Sequence, residues 1–155
     1  MASADIKLLK KLRDETAASI ADCRLALEES DNDYKKALVF IKKRSAEKAE
    51  KKSDRETSQG LVEAYIHQNG KVGAMVEILC ETDFVARTDE FKNLAHEIAM
   101  QVAAMSPKDV NTLLKQEYIR DTSLTIQELI KQTIGKLGEN ILVKRFTRYE
   151  LDPND

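Results

Sequence analysis

Two cysteines, two histidines and 27 carboxylates are the groups in this 155-residue chain best placed to do chemistry, and their spacing withholds it. Cys23 and Cys80 lie far apart with no Cys-x-x-Cys pair, and His67 and His96 are solitary, so no metal-ligand set is spelled out. No glycine-rich phosphate loop or nucleophile elbow occurs, and no carboxylate pair is singled out as acid and base. The sequence therefore argues for no enzyme, no metal and no cofactor. One octet stands apart: Cys80-Glu81-Thr82-Asp83-Phe84-Val85-Ala86-Arg87. Thr82 and Asp83 are residue types that stop a strand and cap a helix, because their side-chain oxygens accept the free N–H groups of a first turn. Phe84 is large and apolar, yet it sits at an element boundary, where chains surface. An acid beside an aromatic at such a corner suits a wedge pushed into a partner. The competing reading places Phe84 over the domain's own core.

The elements around the octet predict two modules and a connector. Residues 1–44 read as three short helices. Ile6, Leu9 and Leu12 give the first a stripe, and Ile20, Cys23 and Leu27 the second, with Ser19 as N-cap and Asp22 three residues on. Asp31 or Asn32 caps the third, whose face is Tyr34, Ala37, Leu38 and Ile41. Three helices of that size suit a bundle resembling the ubiquitin-associated type, marginally stable alone. Residues 45–59 read as a polar helical connector. Seven basic and four acidic residues lie between Lys42 and Glu56 with no apolar stripe, so a solvated spacer that lets the modules move is expected.

Residues 60–155 predict an α+β core. Leu61 to His67 and Val72 to Cys80 are strands joined by Gln68-Asn69-Gly70-Lys71, where Asn69-Gly70 suits a type I′ turn with positive φ at both residues. Val72, Ala74, Val76, Ile78 and Cys80 form one wholly apolar face, which should meet helices. Phe91, Leu94, Ala95, Ile98, Val102 and Met105 predict a long amphipathic helix behind the corner. Ser106-Pro107 restarts the chain as N-cap and first helical position, leading a short helix with Val110, Leu113 and Leu114. Thr125-Ile126-Gln127-Glu128 is a capping box, and Gly138 is placed to end the helix behind it. Ile141 to Leu151 should be a third strand. The expected fold is thus a three-helix bundle, a helical connector and a three-stranded antiparallel sheet covered by helices.

A net charge of −2 argues against general nucleic-acid binding. No apolar run approaches a membrane span, and the opening residues lack the layout of a secretory signal, so a cytoplasmic location is expected.

Three ordered blocks resemble bacterial elongation factor Ts. The first is Lys10-Lys11-Leu12-Arg13-Asp14-Glu15-Thr16 followed by Asp22-Cys23-Arg24-Leu25-Ala26-Leu27, similar to the family's Lys-x-Leu-Arg-x-x-Thr and Asp-Cys-Lys-Lys-Ala-Leu patterns. The second is the hairpin with Thr82-Asp83-Phe84-Val85. The third runs from Gly138-Glu139-Asn140-Ile141 to Tyr149-Glu150-Leu151 and looks like the family's closing strand. Two departures are visible. Thr16-Ala17-Ala18-Ser19 stands where the family usually has Thr-Gly-Ala-Gly, which removes cheap positive φ. Only about a dozen residues separate Met105 from Tyr118, where longer relatives often carry a helical hairpin, so the chain looks like a shortened form with one core subdomain.

The resemblance implies a guanine nucleotide exchange factor acting on elongation factor Tu. The N-terminal module would dock through Leu12, Arg13, Asp22 and Cys23. Thr82, Asp83, Phe84 and Val85 would enter beside the partner's Mg²⁺ and phosphate site. A homodimer is expected, built on an outer sheet face carrying Leu61, Tyr65, Met75 and Leu79. Alternatives of other classes are a ubiquitin-associated-like adaptor and an RNA-associated scaffold using the basic connector.

Overall fold

The computed structural model describes residues 2–152, so Met1 and residues 153–155 of the expected modules lie outside it. Three helices come first. Asp5 caps α1 (Ile6–Thr16), its carboxylate accepting the amides of Lys7 and Leu8. Ser19 caps α2 (Ile20–Glu29) as expected, accepting the Asp22 amide at 3.1 Å. Asp33, and not Asp31 or Asn32, caps α3 (Tyr34–Lys52). Those two residues instead turn the chain at φ 50 and 63, in the left-handed region that short polar side chains tolerate. Leu12, Cys23, Ala26, Leu27, Ala37 and Ile41 form the bundle core, with Leu8, Leu9, Tyr34 and Leu38 against it. Ile6 and Ile20, expected inside, are exposed, each being the first residue of its helix.

The expected boundary at residue 44 falls within α3, which runs unbroken to Lys52. The segment is helical as read, but it is not a solvated spacer. Ala49 is only 5% exposed and belongs to the core of the second module. Ser45 lies beside Gly135 on a later helix, close enough that an added methyl there would touch its side chain at 3.6 Å. Ala49 alone ties the segment to that core, and a single alanine leaves no apolar stripe for periodicity to register.

The second module is built on a sheet of order β1 (Gln59–Ile66), β2 (Val72–Cys80) and β5 (Ile141–Glu150), antiparallel throughout. The hairpin is where it was expected, with a different turn. Within the five-residue connection Gly70 alone has positive φ; its amide returns to the His67 carbonyl at 2.8 Å, closing a β-turn. After β2 come the one-turn helix α4 (Asp83–Ala86), the long α5 (Asp89–Met105) and the short α6 (Val110–Lys115). Asp109, not Ser106, caps α6, and Ser106 ends α5 in a left-handed conformation at φ 47. A small two-stranded sheet, β3 (Glu117–Tyr118) and β4 (Asp121–Thr125), leads to α7 (Ile126–Leu137). Thr125 and Glu128 make both bonds of the capping box, and Gly138 ends α7 at φ 77.

The inner sheet face of Ala74, Val76, Ile78 and Cys80 meets Phe91, Leu94, Ala95, Ile98 and Val102 of α5 and Ile130 and Ile134 of α7. Leu61 and Tyr65 also face inward, contrary to expectation, because they pair with Ile78 and Ala74 and cross-strand partners share a face. The outer face therefore carries Val62, Ala64, Ile66, Met75, Leu79 and Tyr149, a larger apolar set than the one expected. Gln101 is fully buried within α5. Its amide nitrogen donates to the Glu117 carbonyl at 3.0 Å, and its oxygen accepts the Ile119 amide at 3.1 Å, fixing the small sheet to the helix.

Candidate functional site

The corner begins where β2 ends. Cys80 is buried, and its thiol donates to the Thr82 carbonyl at 3.2 Å. Burial pushes that thiol up to about 11, with the Glu139 carboxylate adding to the effect, so it stays protonated and is no nucleophile near neutrality. Burial likewise raises the Cys23 thiol above its usual value. Among the described residues no cluster of three or more His, Cys, Asp or Glu side chains could hold a metal.

Thr82 caps α4, its hydroxyl oxygen accepting the Val85 amide at 3.2 Å. Thr88 then caps α5, so two N-caps six residues apart force the chain through a tight single turn. Val85 and Ala86 drop into the core and anchor that turn. Asp83 and Phe84 are left on its outer side. Phe84 is 82% exposed, which removes the reading that it covers the domain's own core. Asp83 holds an ion pair with Arg87 at 2.5 Å, one helical turn on, with both side chains largely in water. Such a pair is worth at most about 1 kcal/mol, so Asp83 can trade Arg87 for another partner at little cost.

The eight residues expected to touch a partner separate into two groups. Thr82, Asp83, Phe84 and Arg13 are exposed. Leu12, Cys23 and Val85 are buried, and they can shape a binding surface only from beneath it. Asp22 is also nearly buried, and its oxygens are taken: Arg44 Nε donates at 2.6 Å and Lys48 Nζ at 2.5 Å, beside the Ser19 hydroxyl at 2.9 Å. Burial disfavours the charged carboxylate, but the hydrogen bonds from Lys48, Ser19 and Arg44 outweigh that and hold its pKa down at about 2. Asp22 thus staples α2 to α3. Periodicity alone places Leu12 and Cys23 inside; the family pattern had drawn them outward.

The sequence reading missed the residues that hold the corner from behind. Glu139 and Asn140, just before β5, contact Thr82 and Glu81 across 57 and 59 residues of chain. The only signal for them was their place in the closing block Gly138-Glu139-Asn140-Ile141.

Fold and corner together define an α+β protein whose distinguishing surface is a projecting aromatic on an anchored turn. Residues 81–155 match the family model for elongation factor Ts. The elongation factor Ts of Coprothermobacter proteolyticus is 42% identical over 189 aligned positions, covering 93% of this chain and 96% of that protein. That of Thermotoga neapolitana is 41% identical, covering 93% and 95%. The protein of the same name from a Nostoc species is 46% identical over 151 positions, and there 97% of this chain corresponds to 48% of the relative. This chain belongs to the elongation factor Ts family of translation elongation factors. The 189 positions aligned with the Coprothermobacter protein exceed the 155 residues here, so that relative carries residues this chain lacks.

Proposed function

We propose that this chain is a guanine nucleotide exchange factor, which binds elongation factor Tu carrying GDP and hastens release of the nucleotide. The observation that carries the reading is Phe84, a large apolar side chain held out in water on a turn whose neighbours are sunk in the core. A surface that covered the ring would gain the free energy of burying it. The mechanism is linkage: a factor that binds the nucleotide-free partner more tightly than the GDP-bound one weakens GDP by the same ratio. Phe84 enters between partner elements and shifts them. Asp83, released from Arg87, disturbs the Mg²⁺ environment, and losing Mg²⁺ uncovers charge on the diphosphate. GTP then refills the site. The chain performs no bond chemistry, and its N-terminal bundle adds a second foothold with Arg13 on its surface.

Stopped-flow release of labelled GDP from elongation factor Tu, with and without the chain, tests the reading. Acceleration that saturates with added chain supports it, and an unchanged rate at saturation ends it.

The same reading includes a homodimer. Val62, Ile66, Met75 and Tyr149 expose apolar surface on the outer sheet face, and a two-fold pair lets one patch serve both subunits. Sedimentation at micromolar concentration should give twice the chain mass, and Met75→Glu should return it to the monomer mass. A monomeric wild type with full exchange activity would rule the dimer out.

A further inference from the structure

Three parts of the chain meet at the turn Gly138-Glu139-Asn140, which the exchange mechanism leaves unused. The Glu139 carboxylate accepts the Thr82 amide on one oxygen at 2.9 Å and the Thr82 hydroxyl on the other at 2.7 Å. Asn140 is buried and donates its own amide to Glu81 Oε1 at 2.8 Å. The Asn140 side chain donates to the carbonyls of Arg55 at 3.0 Å and Ser53 at 3.4 Å, where the chain leaves α3. Arg55 in turn lies 3.5 Å from Glu81 Oε1. One turn therefore grips both residues that precede Asp83-Phe84, together with the end of the helix that carries the N-terminal bundle.

Resting on the exchange reading of Phe84, we infer that Glu139 and Asn140 are positioning residues, which set the direction in which the Asp83-Phe84 corner projects. Phe84 projects into water, so its aim is set by the backbone at Thr82 and Asp83. A helix of one turn has no stability of its own to hold that backbone. Val85 and Ala86 fix the far side of the turn, and the near side is fixed through Thr82. The Thr82 hydroxyl works in both directions, accepting from Val85 and donating to Glu139, so each bond polarises the other. Both bonds to Glu139 end on a carboxylate, which strengthens them over neutral ones. Asn140 then refers the whole corner to the exit of α3, so corner and bundle share one frame.

A role in stability alone and a role in aiming Phe84 give different results in a mutant cycle. Full-length wild type, Glu139→Gln and Glu139→Ala are compared in GDP release from elongation factor Tu, each with Phe84 and with Phe84→Ala. Thermal melts and hydrogen exchange at the Thr82 amide accompany them. Glu139→Ala should slow release about threefold to thirtyfold, with Glu139→Gln, which keeps one acceptor, between it and wild type. With Phe84→Ala present, Glu139→Ala should slow release by a clearly smaller factor, the remainder acting through Asp83, while its effect on the melt stays the same. Thr82 amide exchange should quicken about tenfold in Glu139→Ala. Equal fold-losses in both backgrounds, full activity of Glu139→Ala, or an unprotected Thr82 amide in wild type would each overturn the inference. An inactive wild type would defeat the exchange reading itself, leaving the clamp to stand or fall on the Thr82 amide.

Discussion

Phe84→Ala should abolish most of the exchange activity while hardly touching the fold. A Phe side chain presents roughly 200 Å². With 82% of it in water, about 40 Å² is buried in the free protein, worth ~1 kcal/mol at ~25 cal/mol per Å². A Phe in the core would instead cost about 3–5 kcal/mol on truncation. For a chain of this length the small figure lowers the melting midpoint by only about 2–4 °C. The remaining area, about 160 Å², sets the ceiling on what the partner gains by covering the ring, ~4 kcal/mol or roughly a thousandfold in GDP release. Thermal melts and stopped-flow GDP release on the same protein stocks read both quantities. A midpoint drop beyond about 10 °C would mean that the ring packs on its own domain, and release at the wild-type rate would show that nothing grips it.

Ala17 ends α1 at φ 56 and ψ 14 with its methyl exposed. Ala17→Gly relieves about 1–2 kcal/mol of left-handed strain against about 0.5–1 kcal/mol of added unfolded-state freedom. The melting midpoint should therefore rise by about 1–4 °C, and a fall would show that the turn is unstrained. Asp22 has a folded pKa of about 2, below its ordinary 3.8, so its contribution is present above pH 4 and is lost as the pH falls toward 2. Asp22→Asn should accordingly destabilise by on the order of 1–2 kcal/mol near neutrality. Urea melts at pH 7 and pH 2.5 check this, and a gap to wild type that does not narrow in acid would contradict the staple. Gln101→Leu should cost about 2–4 kcal/mol in the same melts, because it strands the buried Glu117 carbonyl and Ile119 amide.

What the sequence displayed well was local. The hairpin, the capping box at Thr125 and the Thr82 cap depend on residues within four positions of one another, and the side-chain chemistry that makes them is written in the letters. The face of β1 was misjudged by one step, since alternation by itself does not say which set faces the helices; only pairing with Ile78 and Ala74 decides that. Gln101 reads as a surface residue on any hydropathy scale and lies inside because three polar groups of the β3 strand and its flanks converge on it. The corner's type and place were legible, whereas the sequence left Phe84 between a partner wedge and a core cap, and its 82% exposure decided between them. Its support by Glu139 and Asn140 was not, because no local rule joins residues nearly sixty apart.

Helix α3 has tenants at both ends. Ala37 and Ile41 lodge in the bundle and Ala49 in the sheet core, on one rod of 19 residues, about 28 Å long. Melting the whole rod strips Ala37 and Ile41 from the bundle and Ala49 from the sheet core together. The small bundle is therefore expected to melt together with the larger module, in one transition by calorimetry. With one transition, a ligand that steadies the bundle would steady the sheet as well, with no signal required to travel between them.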